Sequence, residues 1–275
     1  IMTGYRGSDR LTIDYCEICT DSLSKESPPL RIALLADLHD RLWGVEQCDL
    51  LEVIDHLECD LVLCAGDMLL GEKAAQTEHA LCLFRELARR KTPVICANGN
   101  HESRMRLWKD VYGDQYEQYT KKLQELGVCV LVDETREISW GGNRILIHGY
   151  ELPLDYYRKF GQPHYGPEEL TRVFGPAQKD ACHILLAHNP VFFEAYASWG
   201  ADLTLSGHLH GGIIRLPRLG GFISPQARLF PKYSRGLYSL NGKYMVVSAG
   251  LGEHTVPIRI NNPHQLFSIT VRGMA

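Results

Sequence analysis

Histidine, aspartate and asparagine residues stand at the ends of short apolar runs along this chain. Asp37 and His39 close the run LRIALLADLH, and the series continues with Asp67, Asn100 and His101, His188, and His208 and His210. Imidazole nitrogens with carboxylate and amide oxygens, and no thiolate, suit manganese, iron, zinc, cobalt or nickel. One such residue alone most often serves a turn or a hydrogen bond. Because such residues stand at the ends of five apolar runs, the sequence predicts a metal site or an active site.

Two carboxylates, one amide oxygen and four of the imidazoles would make seven ligands, which is more than one tetrahedral ion needs. A carboxylate has two oxygens and can bridge two ions, so the set divides into two sites of four with one shared member. Two divalent ions and two carboxylates leave a net charge of about +2, which attracts a phosphate ester. Ions about 3.5–4 Å apart would lower the pKa of a bridging water and hold the phosphoryl oxygens during in-line displacement.

The apolar runs predict strands, and the segments between them show helical spacing of apolar residues. We predict strands over 30–39, 60–67, 93–101, 128–133, 144–150, 182–190 and 203–211, helices over 45–57, 74–90 and 115–126, and further strands from 238 onward. Alternating strands and helices favour parallel neighbours, whose carboxyl ends meet at one crevice. The motif WGGN predicts a hairpin turn between 128–133 and 144–150.

Composition excludes several classes of protein. The 275 residues include 29 Lys plus Arg against 33 Asp plus Glu, so there is no basic excess for a nucleic-acid partner. No apolar run approaches the roughly 18 residues of a membrane helix. Residue 1 is Ile, so a preceding signal or anchor stays an open alternative. We predict a single domain over 1–275, with an N-terminal strand or extension over 1–29.

The nine cysteines favour a reducing compartment. Several lie inside aliphatic runs, among them Cys64, Cys96 and Cys129, and they are typical of small buried side chains. Cys16 and Cys19 form a CxxC without the second pair that a structural zinc site needs. We therefore expect a cytoplasmic protein, associated with a membrane if an N-terminal anchor was removed.

The ordered motifs ADLHD, GDM, GNHE, AHNP and GHLHGG resemble those of the calcineurin-like metallophosphoesterase superfamily, from about Leu30 to the C-terminus. The segments SPQARLFPKYSRGLY and SAGLGEHTVPIRINNP resemble its bacterial branch of phosphodiesterases and UDP-2,3-diacylglucosamine hydrolases. That branch usually has Pro-Glu where this chain has His264-Gln265, outside the metal motifs. The resemblance implies an α/β fold, a four-layer sandwich of two mixed β-sheets flanked by helices.

The resemblance also implies a role for each candidate residue. One ion would be bound by Asp37, His39 and His210, and the other by Asn100, His188 and His208, with Asp67 bridging them. His101 would contact the scissile phosphate and either protonate the leaving oxygen or stabilise its charge. The expected cofactors are two divalent metal ions, with manganese favoured.

The predicted function is that of a metal-dependent phosphoric ester hydrolase. We expect a phosphodiesterase or pyrophosphatase that acts through a metal-bridging hydroxide on a small-molecule or lipid phosphoester. The same metal residues serve monoesters, so a phosphomonoesterase is the alternative. A non-catalytic scaffold should have lost ligands, and all seven are present. The expected partner is a phosphoester small molecule or lipid head group, with peripheral membrane contact left open and no nucleic acid.

The segment 211–243 contains no Asp or Glu. Its basic residues are Arg215, Arg218, Arg228, Lys232, Arg235 and Lys243, and its interleaved aromatic residues include Phe222, Phe230, Tyr233 and Tyr238. Because it follows the GHLH motif directly, it is a candidate lid that reads a second phosphate, a sugar or an acidic lipid head. The alternative is a solvated connection whose aromatic side chains pack on the second sheet.

Overall fold

Two six-stranded mixed β-sheets pack face to face in the computed structural model, with helices on both outer sides. The structure describes residues 10–158, 163–212, 214–216, 220–223, 230–253 and 259–274. The fold is therefore the predicted α/β sandwich of two sheets flanked by helices.

The first sheet is completed by a strand from late in the chain. In spatial order its strands are β1 (Leu11–Thr20), β14 (His264–Gly273), β2 (Leu30–Leu35), β3 (Leu61–Cys64), β4 (Val94–Ala97) and β5 (Cys129–Leu131). Strands β2 to β5 are parallel, as the alternating pattern predicts. β14 lies between β1, to which it is parallel, and β2, to which it is antiparallel.

The second sheet has a parallel centre and an antiparallel strand at each edge. Its spatial order is β12 (Gly236–Leu240), β13 (Lys243–Val247), β9 (Leu203–Ser206), β8 (Cys182–Ala187), β7 (Asn143–Tyr150) and β6 (Glu134–Trp140). A separate antiparallel pair joins β10 (Ile214–Leu216) to β11 (Gly220–Ile223). The Asn241-Gly242 turn joins β12 to β13 as expected.

One predicted hairpin has a different partner from the one we expected. The WGGN turn joins β7 to β6, whereas β5, within the predicted strand 128–133, pairs with β4 in the other sheet. Strand β6 has the sequence ETREISW, and four of its first five residues are exposed. It was missed because a charged edge strand lacks the apolar face that identifies a strand in the sequence.

Helices cover the outer face of each sheet. Those beside the first sheet are α1 (Cys48–His56), α2 (Glu78–Arg89), α3 (Asn100–Leu107), α4 (Lys109–Tyr112) and α5 (Gln115–Glu125), and those beside the second are α6 (Pro167–Phe174) and α7 (Phe193–Trp199). Helix α3 corrects the prediction that the third strand extends to 101, because β4 ends at Ala97 and Asn100 begins the helix.

Apolar side chains fill the three layers between these elements. In β2, Ile32 and Leu34 pack against the second sheet, while Ala33 and Leu35 face α1 and α2. This period of two, with both faces buried, accounts for the continuous apolar run in the sequence. The apolar layer between the two sheets fixes their relative position. It therefore determines where the ends of their strands meet.

The cysteines are all free. Cys64, Cys96 and Cys182 are buried, as small apolar side chains would be. Cys16 and Cys19 are three residues apart on β1 and thus point to opposite faces. Among the described residues, no helix has the length and apolar character needed to cross a membrane.

A buried pair of histidines in the second sheet should make stability depend on pH. His148 is 3% exposed, contacts Thr135 and His183 through its two ring nitrogens, and stacks on the His183 ring. Burial, with a smaller effect of His183, lowers the pKa of His148 from 6.5 to about 3. In the folded protein this imidazole therefore stays neutral where the unfolded chain takes up a proton.

We expect the free energy of unfolding to fall by about 1.4 kcal/mol per pH unit from this one residue as pH drops below 6.5 towards 3. The measurement is urea unfolding at a series of pH values for the wild type, for His148→Gln, and for His56→Gln, which removes an exposed imidazole on α1. His148→Gln should flatten the slope and His56→Gln should not. Equal slopes for wild type and His148→Gln would contradict the assignment.

Candidate metal centre

The sequence-predicted ligands converge at one end of the two sheets. Asp37 and Asp67 follow the carboxyl ends of β2 and β3, Asn100 begins α3 after β4, His188 follows β8, and His208 and His210 follow β9. All seven candidate ligands are at most 9% exposed. Five of them have positive φ angles, namely Asp37, His39, Asp67, His208 and His210. Such angles are uncommon for residues other than glycine, and they cluster where function over-determines the backbone.

The first group of ligands consists of Asp37, His39 and His210. The Nε2 atoms of the two histidines lie 3.1 Å apart, and their rings stack with a centroid separation of 5.0 Å. The Asp37 Oδ1 atom is 3.3 Å from His210 Nε2 and 3.9 Å from His39 Nε2. Three donor atoms thus lie close enough to hold one cation.

The second group consists of Asp67, His188 and His208. The His188 Nε2 atom is 3.0 Å from Asp67 Oδ2 and 3.7 Å from Asp37 Oδ1. Asp67 also groups with His39 of the first set. Asp67 therefore has an oxygen within 4.8 Å of ligand nitrogens from both sets, which is the position that a bridging carboxylate needs.

Asn100 begins α3, next to His101, and offers a further oxygen. Its Oδ1 atom is buried and has no hydrogen-bond partner among the described residues. A buried unsatisfied carbonyl oxygen is costly unless something binds it. Together with the donor set, this atom fits a divalent cation of the manganese, iron or zinc type.

Backbone carbonyls orient two of the candidate ligands. His188 Nδ1 donates to Ala65 O at 2.6 Å, and His39 Nδ1 lies 3.3 Å from Leu69 O. Because Nδ1 is engaged by a carbonyl, Nε2 is the nitrogen presented to the site. This arrangement is usual for histidines that bind metals.

The burial of two carboxylates and several imidazoles sets the charge of the centre. Burial raises the pKa of Asp37 to about 7, against the opposing charge of His188. Burial also acts to raise the pKa of Asp67, but the neighbouring His188 and His101 hold it well below its usual range. Burial lowers the pKa of His188, and the two aspartates outweigh it and raise the value to about 9.

His101 lies beside the centre and is half-buried. Its backbone N–H donates to Asp67 Oδ1 at 2.8 Å, and its Nε2 is 3.9 Å from Asp67 Oδ2. The Gly71 N–H donates to His101 Nδ1 at 2.7 Å. Nδ1 is therefore the unprotonated nitrogen, and Nε2 holds the proton of the neutral ring.

Glu102 supports the centre, a role that the sequence analysis did not assign. Its carboxylate accepts backbone N–H groups from Asp67, Leu69 and Gly99, each at 2.9 Å. Burial and the nearby Asp67 charge raise its pKa to about 7. Gly99 must be glycine here, because a Cβ at this position would lie 2.2 Å from Asp67 Oδ1. The sequence contained a signal for this supporting role, because Glu102 is the last residue of the GNHE motif.

Arg259 is a second residue that the sequence analysis missed. Its guanidinium lies 3.2 Å from His210 Nδ1 and donates to Gly252 O at 2.6 Å. Burial lowers its pKa to about 10, against the charges of Glu253 and Asp37. It is 49 residues from His210 in the chain, in the segment SAGLGEHTVPIRINNP, to which the sequence analysis gave no role at the centre, so only the fold reveals the contact.

In the described part of the candidate lid, three basic residues form ion pairs with acidic residues elsewhere in the chain. Lys232 pairs with Glu194 at 2.5 Å, Arg235 with Asp14 at 3.0 Å, and Lys243 with Asp202 at 2.7 Å. Tyr233 packs on Phe193 and Tyr238, against the second sheet. These contacts favour the alternative of a packed connection. Arg218, Arg228 and the side chain of Phe222 lie outside the described residues.

The comparisons with known proteins agree with this arrangement. The sequence profile of the calcineurin-like phosphoesterase family matches residues 30–212, which include all seven candidate ligands and His101. The chain belongs to the calcineurin-like phosphoesterase family, and it is a phosphoric ester hydrolase. Membership in this family implies divalent metal ions.

Individual relatives support the same family. An uncharacterized metallophosphoesterase from Aquifex aeolicus is 36% identical, over 96% of this chain and 92% of the relative. Phosphodiesterase YaeI from Escherichia coli is 24% identical, over 82% of this chain and 76% of the relative. A crystal structure of a candidate 5′-nucleotidase from Staphylococcus aureus shares the fold, with a TM-score of 0.51 and 13% identity over 82% of this chain and 49% of that one.

Asp67 contacts both ligand groups, so its replacement should affect both sites. We expect Asp67→Asn to reduce the affinity for manganese by more than about a hundredfold, because outer-shell changes alone cost ten- to a hundredfold. The check is metal content by mass spectrometry after incubation with manganese and gel filtration. His56→Gln is the control and should keep the wild-type content. Two ions bound to Asp67→Asn at wild-type affinity would rule out the bridging role.

Metal binding should release protons. A ligand histidine must be neutral to bind, and the raised pKa of His188 means that it holds a proton at pH 7.5 in the metal-free protein. We therefore expect at least one proton to be released per protein at pH 7.5, and metal occupancy to fall as the medium is acidified. Calorimetry in buffers of different ionisation enthalpy measures this release. Heats independent of the buffer would contradict the ligand set.

Proposed function

We propose that this phosphoric ester hydrolase is a dinuclear metal-dependent phosphodiesterase or pyrophosphatase acting on a small-molecule or lipid phosphoester. The observation that carries the proposal is the pair of buried nitrogen and oxygen ligand groups, both contacted by Asp67, with His101 beside them. Two divalent ions would neutralise the phosphoryl oxygens and lower the pKa of the attacking water.

The assignment of ligands follows the two groups of donor atoms and, for Asn100, the resemblance of the GNHE motif to that of the family. We assign Asp37, His39 and His210 to one ion, Asn100, His188 and His208 to the other, and Asp67 to both. His39 and His101 line an open cleft of about 610 Å³, which gives a phosphoester access to the otherwise buried centre. Manganese is the proposed metal among those that suit this donor set.

His101 is proposed to stabilise the leaving oxygen by donating a hydrogen bond. Because Gly71 N–H occupies Nδ1, a proton transferred from Nε2 would leave an anionic ring, which is unfavourable. A donor held towards the developing charge lowers the barrier without giving up its proton. Of the two roles that the sequence left open, this one fits the hydrogen bonds.

The preference for diesters is supported by likeness to YaeI, a protein named as a phosphodiesterase. The ligand groups themselves suit both ester types, so the second candidate is a phosphomonoesterase. The ratio of kcat/KM for bis(p-nitrophenyl) phosphate to that for p-nitrophenyl phosphate separates the two. A ratio above one supports the diesterase, and a ratio well below one supports the monoesterase.

We expect the wild-type protein to hydrolyse bis(p-nitrophenyl) phosphate with added manganese, and His101→Ala to lose about 10²–10³ in kcat, as the removal of one transition-state hydrogen bond does. His101→Ala should keep its metal, as measured by mass spectrometry, and His56→Ala serves as the control. No turnover with manganese, iron, zinc, cobalt or nickel at high enzyme concentration would refute the proposal.

A further inference from the structure

The metal site assigned to Asn100, His188 and His208, here called the second site, is assembled from both β-sheets. Asn100 begins α3 at the end of the first sheet, whereas His188 and His208 follow β8 and β9 of the second sheet. The distance from Asn100 to the two histidines therefore depends on how the sheets are joined at this end. Side chains that cross between the sheets here determine the geometry of the site.

Glu151 is a side chain of this kind. It follows β7, which pairs in parallel with β8 up to Tyr150 and Ala187. Glu151 and His188 are therefore the next residues of two adjacent strands of the second sheet. The Glu151 side chain is only 5% exposed, so its charge must be satisfied by protein groups.

The Glu151 carboxylate binds α3 of the first sheet. Its Oε1 atom accepts hydrogen bonds from Asn98 Nδ2 at 2.7 Å, from Ser103 Oγ at 3.1 Å and from Arg106 Nε at 3.2 Å, and its Oε2 atom accepts a second bond from Arg106. Asn98 comes two residues before Asn100, and Ser103 comes three residues after it. The carboxylate thus holds the chain on both sides of this ligand.

The two neutral donors to Glu151 are buried within the fold. Asn98 is 4% exposed and Ser103 is 2% exposed, so water cannot readily replace the carboxylate as their partner. Asn98 Nδ2 also donates to the Tyr116 hydroxyl on α5 at 2.9 Å. Ser103 Oγ shares its proton with Gly99 O at 2.8 Å. Glu151 is therefore part of a network that fixes the first turn of α3.

Tyr157 connects the same segment of chain to the histidine ligands. It is the last residue of a short 3-10 helix (Leu154–Tyr157) that follows Glu151. Its ring lies edge-on to the His208 ring with the centroids 4.9 Å apart, and its centroid is 6.3 Å from that of the His188 ring. Aromatic contacts in this range have preferred geometries, so Tyr157 restricts the orientation of both imidazoles.

The ligands of the other site are joined across the sheets by different contacts. After β13 of the second sheet, Leu251 N–H donates to Ala36 O at 3.0 Å and Gly252 N–H donates to Asp37 O at 2.6 Å. The His208 N–H donates to the Asp37 carboxylate at 3.1 Å. These hydrogen bonds come from the backbone and do not involve the segment 151–157. A change in that segment should therefore act mainly on the second site.

We propose that Glu151 and Tyr157 are positioning residues for the second metal site. Glu151 acts on Asn100 through α3, and Tyr157 acts on the rings of His188 and His208. Together they hold two sheets at the spacing that a shared cation requires. This inference rests on the ligand assignment in the proposed function, and it adds two residues that are not themselves ligands.

The first test replaces Glu151 with glutamine, which keeps the size of the side chain but removes its charge and one acceptor oxygen. We expect the second manganese ion to bind to Glu151→Gln about tenfold more weakly, and the affinity for the first ion to change by less than about twofold, because outer-shell contacts affect the ligands that they hold. Manganese titration followed by electron paramagnetic resonance measures both affinities, since a single ion gives resolved hyperfine lines and a coupled pair gives an exchange-broadened spectrum.

Asp202→Asn is the matched control for a general loss of stability. Asp202 is 2% exposed and precedes β9, at the opposite end of the second sheet. Its carboxylate accepts hydrogen bonds from Lys243 Nζ and from the His183 N–H, each at 2.7 Å. Urea unfolding of the metal-free variants measures the stability lost in each. A second-ion affinity reduced as much in Asp202→Asn as in Glu151→Gln would overturn the positioning role.

The second test separates the ring of Tyr157 from its hydroxyl. Tyr157→Phe keeps the aromatic contact with His208 and should keep the affinity for the second manganese ion. Tyr157→Leu removes the ring and should weaken that affinity several-fold, with the first ion unaffected. Equal affinities in the phenylalanine and leucine variants would overturn the role assigned to the ring.

The outcomes distinguish this inference from the proposed function. Selective weakening of the second ion in Glu151→Gln, in a protein that does not hydrolyse bis(p-nitrophenyl) phosphate, would keep the positioning role and overturn the function. Hydrolysis of that ester by the wild type, with both ions or neither weakened in Glu151→Gln, would keep the function and overturn the positioning role.

Discussion

The burial of two carboxylates within reach of the same imidazole is the constraint on which the rest of this structure depends. Asp37 and Asp67 both contact His188, and together they raise the pKa of that ring, while burial raises the pKa of Asp37. Isolated buried charges of this kind would each cost several kcal/mol. Without cations, the centre must bind protons to offset the buried negative charge. Metal binding therefore displaces protons, and the two processes are thermodynamically linked.

The surroundings of the centre keep its ligands in uncommon conformations. Glu102 accepts two backbone N–H groups from the turn after β3 and a third from Gly99 after β4, and Arg259 contacts the far side of the His210 ring. These contacts stabilise positive φ angles that aspartate and histidine rarely adopt alone. A site whose ligands are fixed before the substrate arrives loses little free energy to reorganisation during the reaction.

The sequence predicted the parts of the fold that repeat, and it missed those that depend on distant contacts. Parallel strands with polar ends have a local signature, so the convergence of the seven candidate ligands could be inferred from the order of the residues alone. Strand β6 is charged and lies at a sheet edge, so its sequence lacks an apolar face. The placement of β14 and the contact of Arg259 with His210 join residues far apart in the chain, and single-sequence patterns contain no information on such pairs.

The position of β14 has a consequence for how the protein is made. This strand is inserted between β1 and β2, yet it comes from residues 264–273. During translation, β2 has no neighbour on that side until these residues have left the ribosome, and an unpaired strand edge is prone to association with other chains. A nascent chain that already contains all seven candidate ligands therefore still lacks the strand that secures β2, after which Asp37 stands.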